Sequence, residues 1–205
     1  MINLCVYASG SGSNFIELHR YSQKLDSSFC LKLLISNKLN CGAVEYAKNN
    51  NIKYEIIKIG SYSNYQIYVD SMLSCLNINN INLIALAGFL RKVPEEIIEK
   101  YNQRILNIHP SLLPKYGGRG FYGMNVHRAV IDSGEKKTGI TIHFVDKEYD
   151  KGPIIYQEEV SVLNGDNPEE LSSRVLKVEH RAYKMVIESL IKNNFKFQNR
   201  IIKED

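Results

Sequence analysis

An asparagine and a histidine two residues apart, Asn107 and His109, are the pair in this sequence best placed to do chemistry. They end an apolar run, Ile105 to His109, that predicts a buried strand, and residues two apart on a strand point to the same face. An amide donor and an imidazole acid or base aimed into one cleft suit acyl-group chemistry. Taken alone, the pair is also typical of a strand edge whose histidine is hydrogen-bonded into the core.

In the first half of the chain, short apolar runs alternate with segments of helical periodicity, a pattern typical of strands separated by helices. Strands rich in Val, Ile and Leu on both faces predict a parallel sheet covered on both sides, with ligands at the strands' carboxyl ends. The predicted strands are 2–8, 31–36, 54–58 and 83–87, and the predicted helices are 14–25, 42–50, 62–76 and 94–101.

The second half predicts a different arrangement. Two β-type runs, 138–145 and 154–160, are joined by a short loop and favour a hairpin or neighbouring strands of mixed direction. Asn167 and Pro168 then predict the start of a long amphipathic helix. The expected fold is α/β, with a single Rossmann-like doubly wound domain over 1–205, a mostly parallel sheet, a mixed C-terminal part and a long C-terminal helix.

Three further segments lie at predicted strand ends. Ser9-Gly10-Ser11-Gly12-Ser13-Asn14 fits a turn that binds a monophosphate at a helix N-terminus, or a plain strand-to-helix turn. Residues 88–94 fit a connection whose backbone binds a flat heterocycle, or an ordinary strand-to-helix connection. Asp150-Lys151-Gly152-Pro153 fits a turn whose carboxylate orients an imidazole, or only a turn. Each is informative only if it lies near the others.

Composition narrows the class of protein. The chain has 205 residues, of which 44% are hydrophobic and 23% charged, as in a globular protein with a substantial core. A net charge of +4 from scattered Lys and Arg favours a compact site for one anionic ligand over a nucleic-acid surface. Its four cysteines have no metal-ligand spacing and no apolar run approaches about 20 residues, and from the short, uncharged start we expect no signal peptide. We therefore expect a cytoplasmic protein without a metal.

Together, four motifs in this order resemble the folate-dependent formyltransferase family over nearly the whole chain. The broad signature is Asn-x-His-Pro-Ser-Leu-Leu-Pro, and Ser-Gly-x-Gly-Ser-Asn near residue 10 resembles the members that act on glycinamide ribonucleotide. The motifs are Ser9–Asn14, Ala87–Arg91, Asn107–Pro114 and Asp150–Ile154. The resemblance implies transfer of a formyl group from 10-formyltetrahydrofolate, the co-substrate, to the amine of N1-(5-phospho-D-ribosyl)glycinamide in de novo purine biosynthesis.

The resemblance also implies roles for individual residues. Asn107 and His109 would stabilise the oxyanion, protonated His109 would donate a proton, and Asp150 would pair with His109, keep it charged and relay protons. The N-terminal half would bind phosphate and the C-terminal half folate, in a monomer or homodimer without nucleic acid or membrane partners. Implied substrate-binding residues are Gly12, Ser13, Asn14 and Glu179, and implied folate-binding residues are Leu90, Arg91, Lys92, Val93, Asn107, Asp146 and Asp150.

Alternative activities remain at this point. One is another user of 10-formyltetrahydrofolate, either a formyl hydrolase or a tRNA formyltransferase, although 205 residues are expected to leave no room for the extra domains of those enzymes. Another is a noncatalytic folate-binding relative. We also expect the glycine-rich loop 117–123 to close over substrate. Of the other histidines, we expect His127 to lie no nearer than directly behind the reacting groups, and His143 to belong to the core or the surface.

Overall fold

The structure, a computed structural model, describes residues 1–195 and the backbone of 201–203. The chain forms two compact units, Met1–Ile105 and Leu106–Asp205. The single domain expected over 1–205 stays a prediction. In the part of the chain that the structure describes, no helix is long and apolar enough to cross a membrane.

The first unit contains a parallel sheet, as the alternating pattern predicts. Its strands run in the order β3-β2-β1-β4, and each neighbouring pair is parallel. The predicted strands and helices of this half are confirmed, with ends that differ by at most about three residues. The bounds are β1 (Ile2–Tyr7), α1 (Ser13–Ser22), β2 (Phe29–Ser36), α2 (Gly42–Asn49), β3 (Tyr54–Ile56), α3 (Tyr65–Ile78), β4 (Leu83–Leu86) and α4 (Glu95–Lys100).

Burial explains why these strands lie at the centre of the first unit. The side chains of β4 and the last four of β1 are all buried, as expected for strands covered on both faces. Side-chain capping sets the start of α3, where Asn64 Oδ1 accepts a hydrogen bond of 2.9 Å from the N–H of Ile67. Because both faces of these strands are covered, a ligand is expected to bind at the strands' carboxyl ends and the loops that follow them.

The second unit is mixed, as predicted. The antiparallel hairpin of β6 and β7 confirms the two β-type runs, β5 pairs antiparallel with β6, and β8 pairs parallel with β7. Asn167 caps the last helix in a capping box with Glu170, and Pro168 occupies its first turn. The bounds are β5 (Ile105–His109), α5 (Met124–Asp132), β6 (Lys137–Phe144), β7 (Ile154–Ser161), α6 (Pro168–Lys192) and β8 (Ile201–Lys203).

The strand register of the second unit determines which side chains meet. Asn107 lies opposite His143 across β5 and β6, and His109 lies opposite Thr141. Thr141 is in turn paired with Gln157 of β7, so that three strands contribute to one row. Because side chains alternate between the faces of a strand, all five residues share one face of the sheet. This face carries the polar cluster described next.

Candidate active site

A polar cluster forms on the second unit where Asn107, His109, His143 and Asp150 converge. Asp150 Oδ2 lies 3.7 Å from His109 Nδ1, and Asp150 Oδ1 lies 3.6 Å from His143 Nε2 and 3.3 Å from Asn107 Nδ2. His109 and His143 are buried, and the Asp150 side chain is only 12% exposed. Thus the structure brings together the amide, the imidazole and the carboxylate that the sequence predicted.

The loop between β6 and β7 places Asp150 in this cluster through its glycine. A Cβ on Gly152 would lie 1.8 Å from the carbonyl oxygen of Phe144, so only glycine fits where the loop crosses the end of β6. Asp150 has φ 55°, a left-handed conformation that Asp tolerates better than most residues. Its Oδ2 accepts a hydrogen bond of 2.8 Å from the N–H of Gly118. This bond connects the glycine-rich loop 117–123 to the cluster.

His143 orients the amide of Asn107, a role beyond the core or surface position that the sequence predicts. Its Nδ1 lies 2.7 Å from the carbonyl oxygen of Phe144, which only accepts hydrogen bonds, so Nδ1 carries a proton. Its Nε2 accepts from Asn107 Nδ2 at 3.0 Å, and Asp150 is the second acceptor for that amide. The side-chain NH₂ of Asn107 is therefore turned toward the cluster. Sequence reasoning missed His143, and only the β5–β6 register reveals it.

The two ring nitrogens of His109 have different surroundings. Nε2–H donates a hydrogen bond of 2.7 Å to the carbonyl oxygen of Tyr116, and Nδ1 faces Asp150. Burial lowers the pKa of His109; Asp150 and the Tyr116 carbonyl act in the opposite direction without cancelling that effect, and His143 adds to it. Burial thus opposes the effect expected of Asp150, and the expectation that Asp150 keeps His109 charged stays a prediction. When the ring is neutral, its proton lies on Nε2, because the Tyr116 carbonyl oxygen can only accept.

Asp150 itself is ionised. Burial by itself would raise the pKa of Asp150, but a hydrogen bond from His143 when its Nε2 is protonated, the charge that His109 carries when protonated and the Gly118 N–H together lower it. A carboxylate beside a neutral imidazole is ready to stabilise that imidazole once it takes up a proton.

In the first unit, the predicted phosphate turn is held by its neighbours. Gly12 has φ 78°, and a Cβ there would lie 2.7 Å from the Cα of Ala43, so this position requires glycine on two grounds. The Ser9 hydroxyl lies 2.6 Å from Asn37 Oδ1 and accepts a hydrogen bond of 3.2 Å from the N–H of Leu90. These bonds join the ends of β1, β2 and β4. The N-terminus of α1 directly follows this turn, and a helix N-terminus is the type of site that binds phosphate.

The remaining predicted binding residues lie in both units. In the first unit, Leu90, Arg91 and Lys92 are exposed after β4, whereas the Val93 side chain is buried. In the second, Asp146 is exposed on the β6–β7 loop and Glu179 is buried on α6.

His127 lies on α5, and its expected place behind the reacting groups stays a prediction. It is buried, and its Nδ1 has no hydrogen-bond partner among the residues that the structure describes. Burial, with a smaller effect from the nearby His109, lowers the pKa of His127 to about 4. The ring therefore stays neutral at physiological pH.

Comparison with known proteins gives a consistent result. Residues 2–187 match the family model described as formyl transferase. Phosphoribosylglycinamide formyltransferase of Vigna unguiculata, described as chloroplastic, is 42% identical over 91% of this chain and 60% of its own length. The Bacillus subtilis protein of that name is 32% identical over 93% of this chain and 95% of its own. A crystal structure of glycinamide ribonucleotide transformylase 1 from Symbiobacterium toebii has a TM-score of 0.88 and 30% identity over 99% of this chain and 93% of that one. This likeness confirms the expected α/β fold class.

Proposed function

Since the chain belongs to the formyl transferase family, we propose that it transfers the formyl group of 10-formyltetrahydrofolate to the amine of N1-(5-phospho-D-ribosyl)glycinamide in purine biosynthesis. The chain spans only 60% of the Vigna relative's length but 95% of the Bacillus relative's. The observation that carries the proposal is the convergence of Asn107, His109 and Asp150 in one partly buried cluster. A noncatalytic relative would not need an amide donor, an imidazole and a carboxylate in this arrangement.

Formyl transfer requires stabilisation of negative charge on an oxygen and movement of a proton between two nitrogens. 10-Formyltetrahydrofolate supplies the formyl group as an activated N-formyl. Asn107 is suited to the first task, because its NH₂ group is held toward the cluster by His143. The 3.3 Å bond from Asn107 to Asp150 is the longer of its two, and it is the one that a substrate oxygen can replace.

The proton moves through Nδ1 of His109 in this proposal. With the other nitrogen bonded to the Tyr116 carbonyl, Nδ1 is a base that can accept the proton lost by the attacking amine. Asp150, 3.7 Å away, then stabilises the imidazolium until the Nδ1 proton passes to the leaving nitrogen. The imidazole thus ends the cycle in the state in which it began. In this sequence of proton transfers His109 is neutral before substrate binds, whereas the expectation from the resemblance has it charged at that stage.

Binding residues complete the proposal. For the ribonucleotide we assign phosphate to the α1 N-terminus and the ribose or amine region to a carboxylate on α6. For the co-substrate we assign the backbone after β4 and the β6–β7 loop. The ribonucleotide residues are Gly12, Ser13, Asn14 and Glu179, and the co-substrate residues are Leu90, Arg91, Lys92, Val93, Asn107, Asp146 and Asp150.

A cytoplasmic location and a monomeric or dimeric state stay proposals. The Vigna relative is described as chloroplastic, so cell fractionation with an antibody to this protein is the direct test of location. Sedimentation equilibrium across micromolar concentrations measures the oligomeric state.

The test of function compares three formyl acceptors: glycinamide ribonucleotide, methionyl-tRNA and water. We expect rapid transfer from 10-formyltetrahydrofolate to the ribonucleotide alone. In His109→Ala we expect kcat to fall roughly 10²- to 10⁴-fold, the range for loss of a general acid–base group. His19→Ala, which changes a histidine on α1 bonded to Tyr46, is the matched control and should keep its rate. Preference for water or tRNA, or full turnover in His109→Ala, would contradict the proposal.

A further inference from the structure

A chain of buried hydrogen bonds joins Gln157 to the loop that follows His109. Gln157 is 4% exposed, and its Nε2 donates to the carbonyl oxygen of Leu113 at 2.9 Å and to Thr141 Oγ1 at 2.8 Å. The Thr141 hydroxyl accepts from the N–H of Leu113 at 2.9 Å and donates to the carbonyl oxygen of Ser111 at 2.6 Å. Two side chains from β6 and β7 therefore hold both ends of a three-residue segment.

This segment leads directly to the carbonyl that bonds His109. The Ser111 hydroxyl donates to the carbonyl oxygen of Lys115 at 2.6 Å and lies 3.5 Å from that of Tyr116. Tyr116 has φ 54°, a left-handed conformation that is unfavourable for a tyrosine and persists only where its surroundings hold it. A second anchor acts on the ring, because the Tyr116 hydroxyl donates to Glu135 at 3.1 Å. The backbone of residues 111–116 is held by the hydrogen bonds of Ser111, Thr141 and Gln157.

The Tyr116 carbonyl competes with Asp150 for the His109 proton. In a neutral imidazole only one nitrogen carries hydrogen. The Asp150 carboxylate beside Nδ1 favours a proton there, whereas the carbonyl at 2.7 Å favours a proton on Nε2. A base at Nδ1 exists only while the carbonyl prevails. The position of one backbone oxygen therefore decides whether the histidine can accept a proton on the side that faces Asp150.

We propose that Gln157 is a positioning residue that, through Thr141 and the 111–116 loop, holds the Tyr116 carbonyl against His109 and so keeps the ring in its Nε2–H tautomer. Gln157 lies one strand beyond Thr141 in the row His109, Thr141, Gln157, so it acts through that network and not by contact with substrate. This inference rests on the proposed function for its effect on rate. Its effect on the tautomer holds whatever the reaction is.

The experiment measures tautomer and rate in Gln157→Met, which keeps a long side chain but removes both donors. ¹⁵N NMR of histidine-labelled protein at about pH 9, where the ring is neutral, reads the tautomer; His109→Gln identifies the His109 signals by their loss. We expect one dominant Nε2–H form in the native protein and a several-fold rise of the Nδ1–H form in the variant. We also expect kcat to fall roughly tenfold or more, with KM for the ribonucleotide within about twofold.

Tyr156→Phe is the matched control. It changes the neighbouring residue of β7, on the opposite face, and removes a buried hydrogen bond of 2.5 Å to Glu158. We expect this control to lower thermal stability without changing the His109 tautomer or kcat. If Gln157→Met does not fold, Thr141→Val breaks the same network at its centre and should give the same two changes.

The outcomes separate this inference from the proposed function. An unchanged tautomer in folded Gln157→Met or Thr141→Val overturns the inference, whatever happens to the rate. A changed tautomer with an unchanged kcat overturns the claim that the tautomer matters for turnover. If the native protein shows no formyl transfer, the proposed function fails, and the NMR comparison still decides whether Gln157 sets the tautomer.

Discussion

Replacing Asp150 with asparagine removes one negative charge beside His109 while nearly preserving the shape of the side chain. At the observed Nδ1–Oδ2 separation of 3.7 Å, a pair of unit charges attract by roughly 4 kcal/mol for an effective dielectric constant of about 20. This is an upper value, because the attraction exists only once His109 is protonated. If half or more of it stabilises the protonated ring during transfer, kcat should fall roughly 30- to 10³-fold in Asp150→Asn, at about 1.4 kcal/mol per tenfold.

Two measurements check this prediction. Steady-state formyl transfer to glycinamide ribonucleotide gives kcat, and an NMR pH titration of the histidine rings gives the pKa of His109, which should fall further because its main raising influence is lost. Glu148→Gln removes an exposed charge from the same loop and should change neither quantity. An Asp150→Asn protein with kcat within about threefold of the native value, or with a higher His109 pKa, would refute the reasoning.

Two stability predictions follow from other parts of the chain. Gly12→Ala should lower the free energy of unfolding by roughly 2–4 kcal/mol, because it combines a positive φ with a clash against the Ala43 backbone. The control Gly10→Ala has open space around the new Cβ and should lower it by under about 0.5 kcal/mol. Equal urea-unfolding midpoints for the two variants would contradict this prediction. The second prediction concerns His127, whose pKa is lowered by burial to about 4, so that its ring stays neutral in the native state down to that pH. In the unfolded chain the same ring takes up a proton below about pH 6.5. The free energy of unfolding should therefore fall by roughly 3 kcal/mol as the pH drops from 6.5 to 4. His127→Leu should flatten this dependence, measured by urea unfolding at several pH values, and an unchanged slope would show that another group is responsible.

Local patterns made much of the fold predictable. Ile105–His109 is found with its predicted bounds because an apolar run meets Pro110, which lacks the N–H that a strand needs. Asn167 and Pro168 likewise predict where α6 begins, since capping depends on residues a few positions apart. The ends of helices and strands that depend on residues close together in the chain can therefore be predicted from the sequence.

The unpredicted parts of the site depend on distant pairing. His143 meets Asn107 only because β5 and β6 are antiparallel in one particular register. The Tyr116 carbonyl is a backbone group, which every residue possesses, so no side-chain pattern marks it. The direction of the pKa shift of His109 likewise cannot be predicted from the motif, because burial has a larger effect on this pKa than the carboxylate that the motif supplies.

The register of β5 on β6 also makes the site a reporter of correct folding. A slip of one residue would turn the side chains of one strand to the opposite face, and Asn107 would lose His143 while His109 lost its place beside Thr141. Such a chain would keep most of its secondary structure and give a nearly normal circular dichroism spectrum. Turnover per molecule therefore counts the correctly paired chains in a refolded sample, which spectroscopy of the backbone does not distinguish.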